Sequence, residues 1–199
     1  MLKWMREDEH QWEPYGSCAV VQNRASLDEQ GQVIDWNHDV YSYTHSGHPR
    51  RSSGQSTLRA ARGLPDPLMP PEPRPGGGSH GGIHRNADPY YDFERRRGVK
   101  HFVKDSPLRV SALRRLGSFA NVFAIESFMD ELALTADQDP VEFRLQHLND
   151  DRAREVIQAA AEKAGWGTPV GENHGRGIGF ARYKNEKATL PKFVWTRKT

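Results

Sequence analysis

The chain has a single cysteine, Cys18, in 199 residues. A lone thiol excludes an internal disulfide framework, a multi-cysteine zinc site and cysteine-ligated iron–sulfur clusters within this stretch. No apolar run approaches the roughly 18 residues that a transmembrane helix needs. The first twenty residues carry acids where a signal peptide has its apolar stretch, so no such signal is expected within them. Gly-x-Ser-x-Gly, P-loop and His-Glu-x-x-His motifs are all missing. Core-forming residues are scarce as well: 36% of the chain is hydrophobic and the mean hydropathy is −0.82. That shortage has a location. Residues 46–100 hold 8 of the 13 prolines and 9 of the 18 glycines, and the segments on either side resemble ordinary globular protein.

Charge is distributed in blocks. The formal total is +2, but residues 1–45 carry −5, 46–100 carry +5, 101–118 carry +3, 119–165 carry −6 and 166–199 carry +5. Alternating blocks that nearly cancel suit a chain folding on itself or on a partner subunit. A nucleic-acid binder is more often basic throughout, so no nucleic-acid partner is expected. The cluster Arg95-Arg96-Arg97 is either an anion site or, the favoured reading, a solvated stretch or a set of internal partners for the acidic helices.

Residues 1–45 predict an antiparallel hairpin. Ser17–Leu27 alternates loosely, Asp28-Glu-Gln-Gly31 supplies turn chemistry, and Gln32–Val40 resumes a strand-like pattern. Leu2, Trp4 and Trp12 are expected to pack. Residues 46–100 contain too many helix and strand breakers for regular structure and are expected to be a long loop. Residues 101–187 form the most regular section. Phe119–Leu134 is apolar on nearly every side and predicts a buried helix. Asp139-Pro-Val-Glu142 combines an N-cap, a proline at the first helical position and a capping-box glutamate. A further helix is predicted from Asp151 to Ala164, and Gly175–Tyr183 reads as a glycine-rich strand whose glycines permit close packing. Residues 188–199 abandon that strand pattern. The composite is an α+β fold.

Few residues suggest chemistry by themselves. Glu126 and Asp130, one turn apart on the predicted helix, could form an acid/base pair. A structural role is favoured, one capping a backbone group and the other pairing with Arg114 or Arg115, because buried charges need partners. His80 and His84, with His45 and His48 upstream, offer metal-ligand types on a loop without preset geometry, and solvated histidines are the favoured reading. Gly175-x-Gly177-x-Gly179 lacks the helix and acid of a dinucleotide site. No catalytic residue and no metal ligand is assigned on these grounds.

The run Pro107-Leu-Arg-Val-Ser-Ala-Leu-Arg-Arg-Leu-Gly117, continuing Ser-Phe-Ala-Asn-Val-Phe-Ala-Ile-Glu-Ser-Phe-Met-Asp-Glu-Leu-Ala133, resembles the large subunit of the molybdenum hydroxylases, the xanthine dehydrogenase/aldehyde oxidase family. The likeness is nearest to its bacterial isoquinoline and nicotinate dehydrogenase type. Met5-Arg-Glu-Asp-Glu9, Arg85-Asn-Ala-Asp-Pro-Tyr90, Asp139-Pro-Val-Glu-Phe-Arg144, Ala159–Trp166 and Gly175–Asn185 extend it along most of the chain, in the family's order.

The resemblance implies a molybdopterin-binding domain to which residues 1–45 and 101–187 both belong, with an atypical tail over 188–199. It implies that Leu113 and Arg114 contact the molybdopterin, in its cytosine dinucleotide form, and that Leu116 lines the substrate pocket. Arg115 stands where the family has a glycine. The implied activity is hydroxylation of an aldehyde or N-heteroaromatic carbon with oxygen from water, and the implied partners are the rest of the large subunit, a small [2Fe-2S] subunit and a small-molecule substrate. The family's Gly-Gln-Gly cofactor loop and its late Gly-Glu base find no match, so the chain is expected to be an internal piece, inactive alone. A cytoplasmic location is implied, with a periplasmic one as the alternative. The rival expectation is a non-catalytic interaction module that grips a partner through the Pro/Gly block and Arg95–Arg97.

Overall fold

The computed structural model describes residues 1, 3–12, 14–47, 65–66, 72–78, 81–182 and 195–198. Their fold mixes helices and strands. A short helix α1 (Arg6–Trp12) leads into a two-residue strand β1 (Tyr15–Gly16), which pairs in parallel with β5 (Val110–Ser111). Strands β2 (Ala19–Leu27) and β3 (Val33–Ser42) run antiparallel, and β4 (Arg96–Phe102) joins β3 in parallel to give a three-stranded sheet in the order β2-β3-β4. The Asp28 carboxylate accepts from the backbone of Gln30 and Gln32, and Gly31 takes the left-handed conformation (φ +76°) that turns the chain into β3.

One face of β3 builds the core. Trp36 is fully buried, stacks on Phe93 at 4.9 Å between ring centres and meets Phe128 of α2 (Ser118–Thr135) at 5.4 Å. Val40 joins Ile83, which lies in a 3-10 turn over Gly82–His84. Helices α3 (Pro140–Gln146) and α4 (Asp151–Lys163) close the main cluster with Val141, Phe143, Leu145, Ala153 and Ile157. Both begin where side chains satisfy the free N–H groups of a first turn: Asp139 accepts from Val141 and Glu142, and Asp150 from Ala153.

Several expectations are corrected. The block 46–100, read as loop throughout, ends in strand from Arg96 onward. An edge strand tolerates consecutive arginines because their side chains reach water or the acids of the neighbouring strand. Helix α2 is covered on one side only: Asn121, Ile125, Met129, Leu132 and Ala133 face inward, whereas Phe119 (73% exposed), Phe123 (69%) and Leu134 face out. Its sequence is apolar all round, but the sheet and α3 supply a single layer. The glycine-rich strand is short, β6 (His174–Gly177), and it pairs antiparallel with β7 (Trp195–Lys198), inside the tail expected to lack strand pattern. From Ile178 the chain leaves the ladder, and Ile178 and Phe180 enter the core instead. A Cβ at Gly175, Gly177 or Gly179 would meet no described atom within 4 Å, so these glycines do not serve close packing there. Trp4 is half exposed rather than packed. Leu2, the side chain of Trp12 and residues 183–194 lie outside the described residues, as do residues 48–64, 67–71 and 79–80 of the Pro/Gly block.

Candidate functional site

The loop between β5 and α2 is the stretch that the resemblance marks. Leu113 and Arg114 stand exposed on it, and Leu116 is half-buried. Arg115 (φ +69°) and Leu116 (φ +53°) both adopt the left-handed conformation. At Arg115 the backbone therefore keeps the conformation that favours glycine while carrying a long cation. Gly117 follows where no side chain fits: its N–H donates to Gly82 O at 3.1 Å, and a Cβ would lie 2.2 Å from Ile83 O.

One turn into α2, the fully buried Asn121 completes this anchorage. Its amide donates to Ile83 O and Arg85 O, both at 2.9 Å, and its Oδ1 lies 3.1 Å from His38 Nε2 on β3. The loop, the 3-10 turn and the sheet are thus tied at one residue. Burial lowers the His38 imidazole below its ordinary range, against the raising influence of Asn121, Asp39 and Asp88.

Glu126 and Asp130 do not meet Arg114 or Arg115. Their partner is Arg144 of α3, which is fully buried. Arg144 Nε donates to Glu126 Oε2 at 3.0 Å, Nη2 to Glu126 O at 2.9 Å and Nη1 to Asp130 Oδ1 at 2.7 Å. Tyr91 Oη donates to Glu126 Oε1 at 2.8 Å, and the backbone N–H of Phe180 to Oε2 at 2.7 Å. Burial pushes Glu126 and Tyr91 up; burial would lower Arg144, but Glu126, Tyr91 and Asp130 carry it above its ordinary value. Both Glu126 oxygens are engaged, so the cluster is a joint between α2, α3 and the strand-exit segment. Sequence reasoning missed Arg144 and Tyr91. The signal for Arg144 was present: it falls in the apolar stripe formed by Val141, Leu145 and Leu148, where a cation demands a buried acid.

The arginine triplet has acidic neighbours on and beside the sheet, not on helices. Arg95 lies 3.8 Å from Asp35, Arg96 3.6 Å from Asp88, and Arg97 3.1 Å from Asp39. The hydrogen bond from His101 and the Arg97 contact hold the Asp39 carboxyl below its usual range. Of the histidines considered for a metal, His45 is buried near Ser42, His84 bonds Gly78 O and Lys100, and His48 and His80 lie outside the described residues. No group of three metal-ligating side chains forms among the described residues.

Beside the loop lies a cleft of about 210 Å³. Arg115 lines it, together with Ser118, Phe119 and Phe123 of α2; Leu113, Arg114 and Leu116 do not.

No protein-family model matches the chain. It is 34% identical over 192 residues to a nicotinate dehydrogenase subunit of Pseudomonas putida, a match spanning 92% of this chain and 15% of that protein. It is 33% identical over 85 residues to the beta subunit of isoquinoline 1-oxidoreductase from Brevundimonas diminuta, covering 41% of the chain and 11% of that protein. Among solved structures, the aldehyde oxidoreductase of Desulfovibrio gigas aligns with a TM-score of 0.49 at 20% identity, and that of Desulfovibrio desulfuricans with 0.48 at 18%. Each alignment covers 82% of this chain and 17% of the other.

Proposed function

Because the chain belongs to the molybdenum hydroxylase family, with matches to nicotinate dehydrogenase and isoquinoline oxidoreductase subunits, we propose that it supplies part of the cofactor-binding scaffold of such a protein. The observation that carries this is the 34% identity sustained over 192 residues. The chain spans 15% of that relative's length, so the activity of a whole subunit is part of the proposal. That activity is hydroxylation of an aldehyde or N-heteroaromatic substrate with water-derived oxygen. Segments 1–45 and 101–187 belong to one molybdopterin-binding domain in this reading, and the rest of the large subunit and a small [2Fe-2S] subunit are its partners.

The donor set of the β5–α2 loop is compatible with an anionic pterin cofactor. Arg114 is exposed and forms no ion pair among the described residues, and the loop backbone is fixed from below by Gly117 and Asn121. Arg114 would hold the cofactor, in its cytosine dinucleotide form, by charge-assisted hydrogen bonds, with Leu113 against its apolar edge and Leu116 toward the substrate. When bound, the molybdenum group supplies the two-electron redox chemistry. This chain supplies position: Asn121 and Gly117 set the loop, and the Glu126–Arg144 joint sets the helix behind it. None of its residues is assigned as a catalytic acid or base, and the chain alone is expected to be inactive. Among the described residues no helix is long and apolar enough to cross a membrane; a cytoplasmic location is the reading we adopt.

Two experiments test this. The full chain, produced in a host that makes molybdenum cofactor, should not reduce a dye with nicotinate or an aldehyde; cofactor-dependent dye reduction would overturn its inactivity alone. Substituted for the matching stretch of the Pseudomonas putida nicotinate dehydrogenase, the chain should support molybdenum loading, and Arg114→Ala should lower the bound metal. Unchanged molybdenum in that variant would remove Arg114 from the cofactor site.

A further inference from the structure

Both ring nitrogens of the fully buried His38 face an oxygen. Nδ1 lies 2.7 Å from Asn23 Oδ1 on β2, and Nε2 lies 3.1 Å from Asn121 Oδ1 on α2. The two amides cannot turn round to relieve this. Asn23 donates its Nδ2 to Ala124 O at 2.9 Å, and Asn121 donates its Nδ2 to Ile83 O and Arg85 O, both at 2.9 Å. A rotated Asn121 would aim its oxygen at two carbonyls, and a rotated Asn23 at one.

A neutral imidazole has one N–H and one bare nitrogen. It donates to one of these oxygens, and its other nitrogen then faces an oxygen, lone pair to lone pair. The shorter contact takes the proton. The neutral ring therefore donates from Nδ1 to Asn23 and leaves Asn121 Oδ1 without a donor from the ring. Only a ring protonated on both nitrogens satisfies both amides, and its bonds are charge-assisted.

We propose that His38 is a proton-operated latch between the sheet and α2. A proton taken up from solvent at Nε2 closes the hydrogen bond to Asn121 Oδ1, and so tightens the joint at which Asn121 holds the carbonyls of Ile83 and Arg85. The surroundings suit a ring that changes charge. Asn23 and Asn121, which meet it from β2 and α2, are neutral, and its partner in register on β4 is Gly98. Asp39, next to it on β3, faces the opposite side of the sheet, where Arg97 and His101 hold it. Asp88, in the segment after the 3-10 turn, lies 3.6 Å from Arg96. Both acids favour the charged ring and burial opposes it, so the latch stays open until the pH falls below the ordinary imidazole range. It is independent of the cofactor reading; where that reading holds, the loop carrying Arg114 is the part it steadies, because Gly117 rests on the same 3-10 turn.

The test is a magnetic-resonance titration of the full chain, labelled with heavy nitrogen, from about pH 7.5 down to about pH 4.5. His38 is identified by its through-space contacts to Asn23 and Asn121. At the upper end the ring should carry its proton on Nδ1, with Nε2 bare. As the pH falls, both nitrogens should become protonated while the chain stays folded, and the Asn121 side-chain amide should shift with the same midpoint. Asn23→Ala removes the competing oxygen, so the single proton of the neutral ring should move to Nε2 and make the Asn121 bond without acid. A ring protonated on both nitrogens at the upper end, a ring still neutral when the chain unfolds, or an Asn121 amide indifferent to the titration would each overturn the proposal. So would a neutral wild-type ring with its proton on Nε2, or an unmoved proton in Asn23→Ala. If that variant does not fold, the titration of the unmodified chain decides alone.

Discussion

Arg144 grips Glu126 twice, through Nε to the carboxylate at 3.0 Å and through Nη2 to the backbone carbonyl at 2.9 Å. One guanidinium thereby fixes both the side chain and the helical backbone of its partner. With Tyr91 and Phe180 N–H on the remaining lone pairs, the charge is fully compensated in the core.

Glu126→Gln should therefore destabilise the whole fold, not a single reaction step. Removing one partner of a buried ion pair costs about 3–5 kcal/mol, and an amide that keeps its oxygen toward Arg144 and Phe180 presents its NH2 to the Tyr91 hydroxyl and leaves the Arg144 charge without the Glu126 carboxylate. Urea unfolding should show this loss of midpoint, and an unchanged midpoint would mean that the joint is dispensable.

Stability should fall on mild acidification, and His147 is one cause. Its Nδ1 lies 2.7 Å from Phe143 O and its Nε2 accepts the Val33 N–H at 3.0 Å, an arrangement that needs the neutral ring. Burial lowers its value below 6.5, against the hydrogen bond to Phe143 and the charge of Asp28. The unfolded chain therefore binds the proton more readily than the folded one. The stability this histidine contributes is present above pH 6.5 and is lost as pH falls from there through the lowered folded value. His38 and His45, also lowered by burial, act in the same direction. His147→Gln should reduce the pH slope of the unfolding free energy between about pH 5 and 6.5 by about one proton; an unaltered slope would assign it elsewhere.

Arg115→Gly should stabilise the chain. A left-handed residue with a side chain costs about 1–2 kcal/mol, of which the greater freedom of glycine in the unfolded state takes back about 0.4–1 kcal/mol. The denaturant midpoint should rise at constant slope. A fall would show that the Arg115 side chain makes contacts worth more than the strain.

Asp139→Ala should cost about 1–2 kcal/mol. Its Oδ1 caps α3 through Val141 and Glu142, and its Oδ2 accepts from Trp166 Nε1 at 2.7 Å. Loss of the second contact should also shift the tryptophan emission, which separates it from a pure capping effect.

Local chemistry was legible and distant partnership was not. The start of α3 can be read from Asp139-Pro140-x-Glu142 because a cap is settled within four residues. The structural role of Glu126 was also readable, since a carboxylate on an apolar face needs a partner. Which partner was not: Arg144 lies 18 positions away and Tyr91 lies 35 positions on the other side. Arg114 and Arg115 were nearer in sequence, but the left-handed loop turns them out of the core. The strand at Arg96–Phe102 was hidden for the same reason, as its register is set by β3 and not by its own residues.

By itself the sequence determined the mixed helix and strand character, the helix boundaries written in capping residues, and the family to which the chain is related. Those rest on short-range backbone chemistry and on residue order. Tertiary structure alone decided that α2 is covered on one face, that Arg115 rather than Leu116 lines the cleft, and that Asn121 joins loop to sheet. An apolar side chain is buried only if another layer reaches it, and a polar one finds its partner only once distant segments are brought together.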